Sequence, residues 1–371
     1  MKLVPAGDSD AERLKRFFES STLPGAVDFS IRRPLSFFDQ YRLLSDDFET
    51  LMLTDDDGSI AGMASLIFRE GHVLDEKQTW AFATDLRIAP TRKAIAQWAQ
   101  YFIPVLDRLQ KERGCRYLFS ALEQHDNQAY NALIRPTSHT RRRMPRYLLA
   151  NHFHVVNLHG RFPFSSKPLQ SIRLKTLEYS DLEEVCAYLR GQAKLRPLAT
   201  YYLPETFMKD LGRWPNLKLS DFRVARDAME KIRGFAALYD GKPVQSHVPL
   251  QYHGFANTIH QSLWLSSFTG LVRPFAQVDQ EMPVQFLTHL HCDSAEVFHR
   301  LADDAFSRLG SRELLTYIHF RGNWRTLPPR SFVATHLPFG LYLILPPTSE
   351  APPWPMPSIR SLPPEFEAAW L

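Results

Sequence analysis

Apolar residues recur at two different periods along residues 80–102, WAFATDLRIAPTRKAIAQWAQYF, and the change of period falls at one dipeptide. Up to Ile88 the residues suit an extended strand, with Leu86 and Ile88 on one face by two-residue alternation. Ala89-Pro90 stops that strand, because proline has no N–H to give a ladder. From there Ile95, Trp98, Ala99, Phe102, Val105, Leu106 and Leu109 follow a helical period, with Pro104 expected to kink or break it. A strand that opens directly onto a helix N-terminus presents free N–H groups and the positive end of the dipole, a ready anion site. Thr91, Arg92 and Lys93 stand at that mouth, so the pattern predicts a phosphate-bearing ligand. Cations at a helix start oppose the dipole, and a bound anion would explain them better than solvated charge does.

The same plan occurs twice. Residues 2–18 predict strand, loop and helix, with Ser9-x-x-Glu12 as a capping box and Leu14, Phe17 and Phe18 as the apolar stripe. Residues 171–190 repeat this with Ser180-x-x-Glu183, then Val185, Tyr188 and Leu189. Residues 47–66 and 221–238 each read as strand, polar turn, strand, and each second strand carries Gly-x-Ala-x-Leu, at Gly62 and Gly234. Shared order at a nearly constant offset points to two copies of one unit. In the first, residues 116–122 form a strand, a short helix opens near Asp126 or Asn127, and 146–158 is a closing strand or strand pair. In the second, a long region at 195–218 precedes the hairpin; 286–291 takes the central-strand position, 296–309 the helix and 313–320 the next strand. The stretch His289-Leu290-His291-Cys292-Asp293 has neither glycine nor a basic mouth. The expected division is 1–158, a linker at 159–170, 171–346, and a proline-rich tail at 347–371. Trp354, Phe366 and Trp370 would anchor that tail as a strap over a domain surface, the alternative being partial disorder.

Composition changes this picture little. With 371 residues, 44% of them hydrophobic, two α/β domains with sizeable cores are expected. A net charge of +4 suits acidic ligands and is too weak to argue for nucleic acid. Cys115, Cys186 and Cys292 lie far apart and make no metal-type pair, which favours a reduced compartment. The opening residues lack an apolar signal core and no stretch reaches membrane-span length, so a soluble cytoplasmic protein is expected. Glycine-rich phosphate loops, dinucleotide fingerprints, a Ser/His/Asp order and H-E-x-x-H are missing, against kinase, dehydrogenase, hydrolase and zinc-protease readings. His152, His154 and His159, like His289 and His291, alternate on strands without a third ligand of suitable spacing and read as ordinary strand histidines. Arg141, Arg142 and Arg143 read as a solvated loop before a phosphate patch.

Asp85-Leu86-Arg87-Ile88-x-Pro90, the loop to Ala96, and Asn127-x-x-Tyr130-x-x-Leu133, in this order of elements, resemble a GNAT-type N-acyltransferase domain. The resemblance covers residues 1–158, with 171–346 as a degenerate second copy. It implies an α/β (α+β) fold of two tandem units, each a mixed, mostly antiparallel twisted sheet flanked by helices. It implies acetyl-CoA or another acyl-CoA as cofactor, with the backbone of Leu86, Arg87 and Ile88 pairing with the pantetheine arm. Thr91, Arg92, Lys93, Ala94, Ile95 and Ala96 would wrap the pyrophosphate, and Asn127 would touch the cofactor, its plainer role being a helix cap. The family loop carries Arg/Gln-Gly-x-Gly-x-Gly/Ala; TRKAIA is shorter and has alanine where glycine would stand, which disfavours positive φ.

The reaction so implied is attack of a substrate amine on a thioester, needing an unprotonated amine, a polarised carbonyl and a proton for the thiolate. Asp85 is the candidate base, against a structural carboxylate paired with Arg87 or Arg92. Tyr130 is the candidate acid, its phenol having a pKa of about 10, against a half-buried core tyrosine. Arg32 and Arg33 lie in the region that closes over the acceptor in the resembling family and would select an acidic one, against exposed surface charge. The acceptor is a small-molecule or peptide amine, with no membrane or nucleic acid, and the second copy supplies acceptor surface or a homodimer contact. The rivals are a non-catalytic acyl-CoA sensor and an aminoacyl-tRNA-dependent peptidyl transferase on the same tandem fold.

Overall fold

The computed structural model describes residues 1–74, 76–124, 133–134, 144–163, 171–355 and 362–371. The first half runs β1 (Lys2–Ala6), α1 (Ala11–Glu19), β2 (Val27–Arg32), α2 (Asp39–Arg42), β3 (Phe48–Thr54), β4 (Ile60–Val73), β5 (Glu76–Ile88), α3 (Arg92–Glu112), β6 (Tyr117–Glu123) and β7 (Arg146–Arg161). The second runs β8 (Arg173–Thr176), α4 (Leu182–Ala193), α5 (Pro204–Leu211), β9 (Phe222–Arg226), β10 (Ile232–Tyr239), β11 (Ser246–Tyr252), α6 (Gly254–Ser267), β12 (Val284–Cys292), α7 (Ala295–Arg308), β13 (Leu314–Phe320) and β14 (Phe332–Leu345).

Twelve strands share one sheet in the order β1-β3-β4-β5-β6-β14-β7-β13-β12-β10-β9-β8, while β2 and β11 pair as a separate ribbon between the halves. Among the described residues only β5–β6 and β12–β13 run parallel. The order is symmetric about the β14–β7 pair, so each half's parallel pair is continued by the other half's last strand: β14 on β6 and β7 on β13. Neither half completes its sheet alone. Helix α3 packs Trp98, Phe102, Leu106 and Leu109 on the first half's strands, and α7 packs Phe298, Leu301 and Phe306 on the second's. One further core joins α1, α2, α4, α5 and the tail. Among the described residues no helix is long and apolar enough to cross a membrane.

Four local expectations need correction. Pro104 does not break α3, which runs unbroken from Arg92 to Glu112; Pro104 is exposed, so water replaces the one backbone bond it forfeits. Helices α1 and α4 do not start at the Ser9 and Ser180 boxes. Each follows a single 3₁₀ turn whose acid, Asp10 or Asp181, accepts the N–H of Gly7 (3.2 Å) or Glu178 (3.1 Å). Strand β7 continues past the expected linker start, and His159 lies buried in the sheet, bonded to the Arg273 carbonyl (2.8 Å) and to Thr335 (2.9 Å). The tail does not lie over a surface: Phe366 and Trp370 are 7% and 3% exposed, packed against Phe82 and Trp80.

Candidate functional site

Strands β5 and β6 pair for only three residues, Trp80 with Tyr117, Ala81 with Leu118 and Phe82 with Phe119. Beyond Phe82 they part: β5 stays on β4, and β6 stays on β14. The parting coincides with a bulge, since β5 spends Thr84 to Arg87 opposite Ser65 to Met63 of β4, one residue too many. Asp85 sits in it at φ +57, a region costly for a non-glycine residue and kept only where surroundings enforce it.

The enforcement comes from Arg33 and Tyr41, which both donate to Asp85 Oδ2 at 2.6 Å. Arg33 Nε and Nη2 also donate to Gln245 Oε1 (3.1 and 3.0 Å), and Nη1 donates to the Phe37 carbonyl and to the Tyr41 hydroxyl (both 3.2 Å). All five guanidinium donors are therefore engaged, with the Phe18 and Phe37 rings 4.4 and 4.7 Å away. The Arg33 and Asp85 side chains are 1% and 7% exposed. Burial works against the Arg33 charge, but the Asp85 carboxylate and Tyr41 outweigh it and raise its pKa. Burial, reinforced by the Asp85 charge, keeps the Tyr41 phenol protonated. Arg33 is thus not the exposed acceptor clamp the sequence suggested, because it has no donor left to give; Arg32 beside it is exposed on β2.

At the helix mouth Thr91 Oγ1 caps α3 by accepting the Ala94 N–H (3.2 Å), and the Thr91 N–H donates to the Ala89 carbonyl (2.7 Å). The N–H groups of Arg92 and Lys93 have no acceptor among the described residues. Lys93 Nζ lies 3.0 Å from Asp55 and 3.5 Å from Asp56, so acids of the β3–β4 turn account for that cation. Arg92 is exposed with no ion-pair partner among the described residues. Ala94 is buried, whereas Ile95 and Ala96 are exposed. Leu86 and Ile88 pack with Trp98 and Phe102, while Arg87 is half-buried, donating from Nη1 to the Leu86 carbonyl (3.1 Å) with its guanidinium 4.9 Å from the Phe18 ring. Asn127, Tyr130 and the arginines at 141–143 lie outside the described residues.

The gap opens into a cavity of about 1490 Å³, bordered by β5 from Phe82 to Ile88 and by Ser120 to Glu123 of β6. It reaches the β2–β11 ribbon, α6 and β14. Burial pushes His247 on its wall down to about 4, helped by the Arg33 charge, and lowers His154 and His336 as well. Glu123 Oε1 accepts the Ala26 N–H (3.0 Å), and a side chain at Gly25 would collide with that carboxylate. Tyr41, Glu123, Gln245 and His247 were not foreseen; Gln245 stands 212 positions from the arginine it binds, and no local pattern marks it. Among the described residues no three His, Cys, Asp or Glu side chains converge on a metal position.

No family model and no curated protein matches the sequence. Solved structures match the backbone. A GCN5-related N-acetyltransferase from Sphaerobacter thermophilus aligns over 92% of this chain and 94% of its own, at TM-score 0.52 and 12% identity. N-myristoyltransferase of Saccharomyces cerevisiae, with bound myristoyl-CoA, aligns over 92% of this chain and 79% of its own, at TM-score 0.53 and 10% identity. A glucosamine N-acetyltransferase region in a fungal multi-domain β-N-acetylglucosaminidase aligns over 93% of this chain at TM-score 0.56 and 11% identity; the chain spans only 38% of that protein. The chain has the GNAT fold.

The second half builds the same GNAT splay. Strands β12 and β13 pair at Val284–Leu314, Gln285–Leu315 and Phe286–Thr316 and then part at a bulge, with His289 at φ +52. This widening is filled. The Glu367 carboxylate accepts the His289 N–H (2.8 Å), and the last turn of the tail packs on β12 and β13. The turn at Trp324–Thr326 closes the outer end, Arg325 reaching the Cys292 carbonyl (3.4 Å) and the Thr326 carbonyl accepting from Tyr317 (3.5 Å). At the start of α7, where an anion would sit, Asp293 accepts from Tyr188 (3.1 Å) and Gln192 (2.9 Å).

Proposed function

We propose that this protein is an acyl-CoA-dependent N-acyltransferase working in its first half. The observation that carries the reading is the gap beside the Asp85 bulge, with, among the described residues, an unpaired strand edge along its length and two N–H groups without acceptors at the start of α3, and with a large cavity adjoining it. The fold's solved neighbours are N-acyltransferases by name, one holding myristoyl-CoA. The fit to a CoA thioester is direct. The free edge of Leu86, Arg87 and Ile88 would pair with the pantetheine amides, and the Arg92 and Lys93 N–H groups with the Arg92 side chain would meet the pyrophosphate.

Bound there, the thioester supplies an activated acyl group. The chain's part is to hold an unprotonated primary amine, of a small molecule or peptide, against it, exclude water and take the proton. Asp85, which lines the cavity and has Oδ2 held by Arg33 and Tyr41, is the proposed acceptor of that proton. Tyr130 stays the proposed donor to the leaving thiolate.

Calorimetric titration with CoA and acetyl-CoA, followed by thiol release on an amine panel, tests the reading. Binding and release are expected, and Asp85→Asn should lower turnover about a hundredfold or more while CoA affinity holds. Absence of CoA binding would end the proposal. Binding without turnover on any amine would favour a sensor, a reading supported by the commitment of Asp85 Oδ2 and of every Arg33 donor to a buried network.

A further inference from the structure

We infer that the cavity behind the Asp85 bulge accommodates a long hydrocarbon chain, carried by the acyl thioester or by the acceptor amine. This rests on the N-acyltransferase reading and narrows its substrate class. The cavity of about 1490 Å³ includes the cleft along Leu86, Arg87 and Ile88 where the pantetheine arm would lie, yet it exceeds the roughly 300–1,000 Å³ of an ordinary small-molecule pocket, which leaves more room than an acetyl group needs. The far wall is built from Phe29, Ile31, Ile259, Phe275, Met282 and Phe286, side chains from both halves. Apolar side chains left facing water in so large an opening gain burial when an apolar group covers them.

The carboxylates on the wall are already answered by protein: Asp85 is held by Arg33 and Tyr41, and Glu123 accepts the Ala26 N–H. Arg87 is the cation left over, with Nη1 on the Leu86 carbonyl (3.1 Å) and no carboxylate paired with it among the described residues. Burial keeps His154, His247 and His336 uncharged at neutral pH. A cationic or neutral polar acceptor body entering this space would lose its hydration and, among the described residues, meet no unpaired carboxylate, whereas a methylene chain loses nothing. Helix α6, which lends Ala256 and Ile259 to the wall, has no Asp, Glu, Lys or Arg between residues 254 and 272.

The test uses the full chain in two arms. In the first, CoA and its acetyl, hexanoyl, decanoyl and dodecanoyl thioesters are titrated calorimetrically. In the second, CoA-saturated protein is titrated with alkylamines from butyl to dodecyl. Affinity is expected to rise about two- to fourfold per methylene in one arm, and that arm names the carrier of the chain. Ala256→Trp and, independently, Ile259→Trp should cost the dodecyl ligand tenfold or more while CoA alone reports whether the cofactor cleft survives. Flat affinity in both arms with CoA still binding overturns this inference and spares the N-acyltransferase reading. Unchanged dodecyl affinity in both folded tryptophan variants also overturns it. If CoA itself fails to bind, the N-acyltransferase reading falls, and dodecanoate and dodecylamine against their butyl counterparts decide the cavity alone.

Discussion

Two clefts in this molecule come from one backbone device. The strand pairs open at Trp80–Tyr117 and Val284–Leu314, and the bulge residues Asp85 and His289 follow at the same spacing, since 284 − 80 and 289 − 85 are both 204. What differs is the surroundings. In the first cleft the bulge residue is an acid tied to a buried arginine, and among the described residues nothing fills the widening. In the second it is a neutral imidazole, its pKa pushed to about 3 by burial and the Arg69 charge, nested against Trp214 and Phe222 with ring centroids 4.9 and 5.3 Å away. Glu367 takes its N–H, and Asp293, just before the helix start, is held by Tyr188 and Gln192. The bulge therefore sets where a cleft begins, and later segments decide whether it stays open. A repeat can keep its geometry while losing its site.

The largest expected effect separates the two bulge residues. Asp85→Leu strands a fully buried guanidinium and should cost about 3–5 kcal/mol in urea unfolding. His289→Leu removes only packing and a neutral ring and should cost about 1–2 kcal/mol. Arg33→Met combined with Asp85→Leu should recover most of the first loss, because the pair then leaves the core together. Equal costs for the two single changes would show that the bulges are held in the same way, and the comparison would collapse.

Much of this was legible because it is local. The change of period at Ala89-Pro90, the two hairpins and the start of the first half's closing strand at Arg146 sit where the pattern put them. The repeated Gly-x-Ala-x-Leu has a packing cause: a Cβ at Gly62 would stand 3.2 Å from Trp98, and one at Gly234 would run into Val297 and lie 3.1 Å from Leu301. Glycine lets each helix sit close on its strand. The strand exchange was not legible, since nothing in Arg146–Arg161 or Phe332–Leu345 states which half each will join. Arg33 misled for the same reason. Beside Arg32 and Pro34 it reads as surface, and its partners Asp85 and Gln245 stand 52 and 212 positions away. The serine caps failed through competition, Asp10 and Asp181 offering a stronger acceptor one position later.

The plug of the second cleft should be sensitive to pH. Burial, with a contribution from neighbouring Glu365, raises Glu367 to about 7. The folded state then holds this proton more tightly than the unfolded chain, whose glutamate titrates near 4.3. Its contribution is complete below that value and is lost as pH rises through 7, by about 3 kcal/mol in total. The buried histidines oppose it, His247 and His289 with depressed values losing stability as pH falls below 6.5. The informative quantity is therefore the wild type against Glu367→Gln, measured by denaturant unfolding from pH 5 to 8. The variant should gain on the wild type from pH 5 to about 7 and level off above it. A constant difference would mean that the carboxylate is hydrated and the second cleft is not plugged by it.

The smallest effect concerns the two helix starts and distinguishes cations that look alike in sequence. Arg92 is exposed and unpaired among the described residues, so Arg92→Ala should weaken CoA about two- to fivefold at low salt, the worth of one exposed charge at a helix end. Lys93 is already held by Asp55 and Asp56, and Lys93→Ala should change affinity less than about twofold. Asp55→Asn with Asp56→Asn should release Lys93 toward the ligand and tighten CoA by a similar small factor, an effect that fades as salt shortens the screening length. At the start of α7 the neighbouring acid Asp293 sets a negative charge beside the helix mouth, and Asp293→Asn should leave CoA stoichiometry at one per chain, because Glu367 and the turn at Trp324–Thr326 still fill the cleft beside it. A larger loss from Lys93→Ala than from Arg92→Ala would place the phosphate against the β3–β4 turn instead of the free end of α3. A second CoA bound by the Asp293 variant would show that charge alone, and not the plug, had silenced the other half.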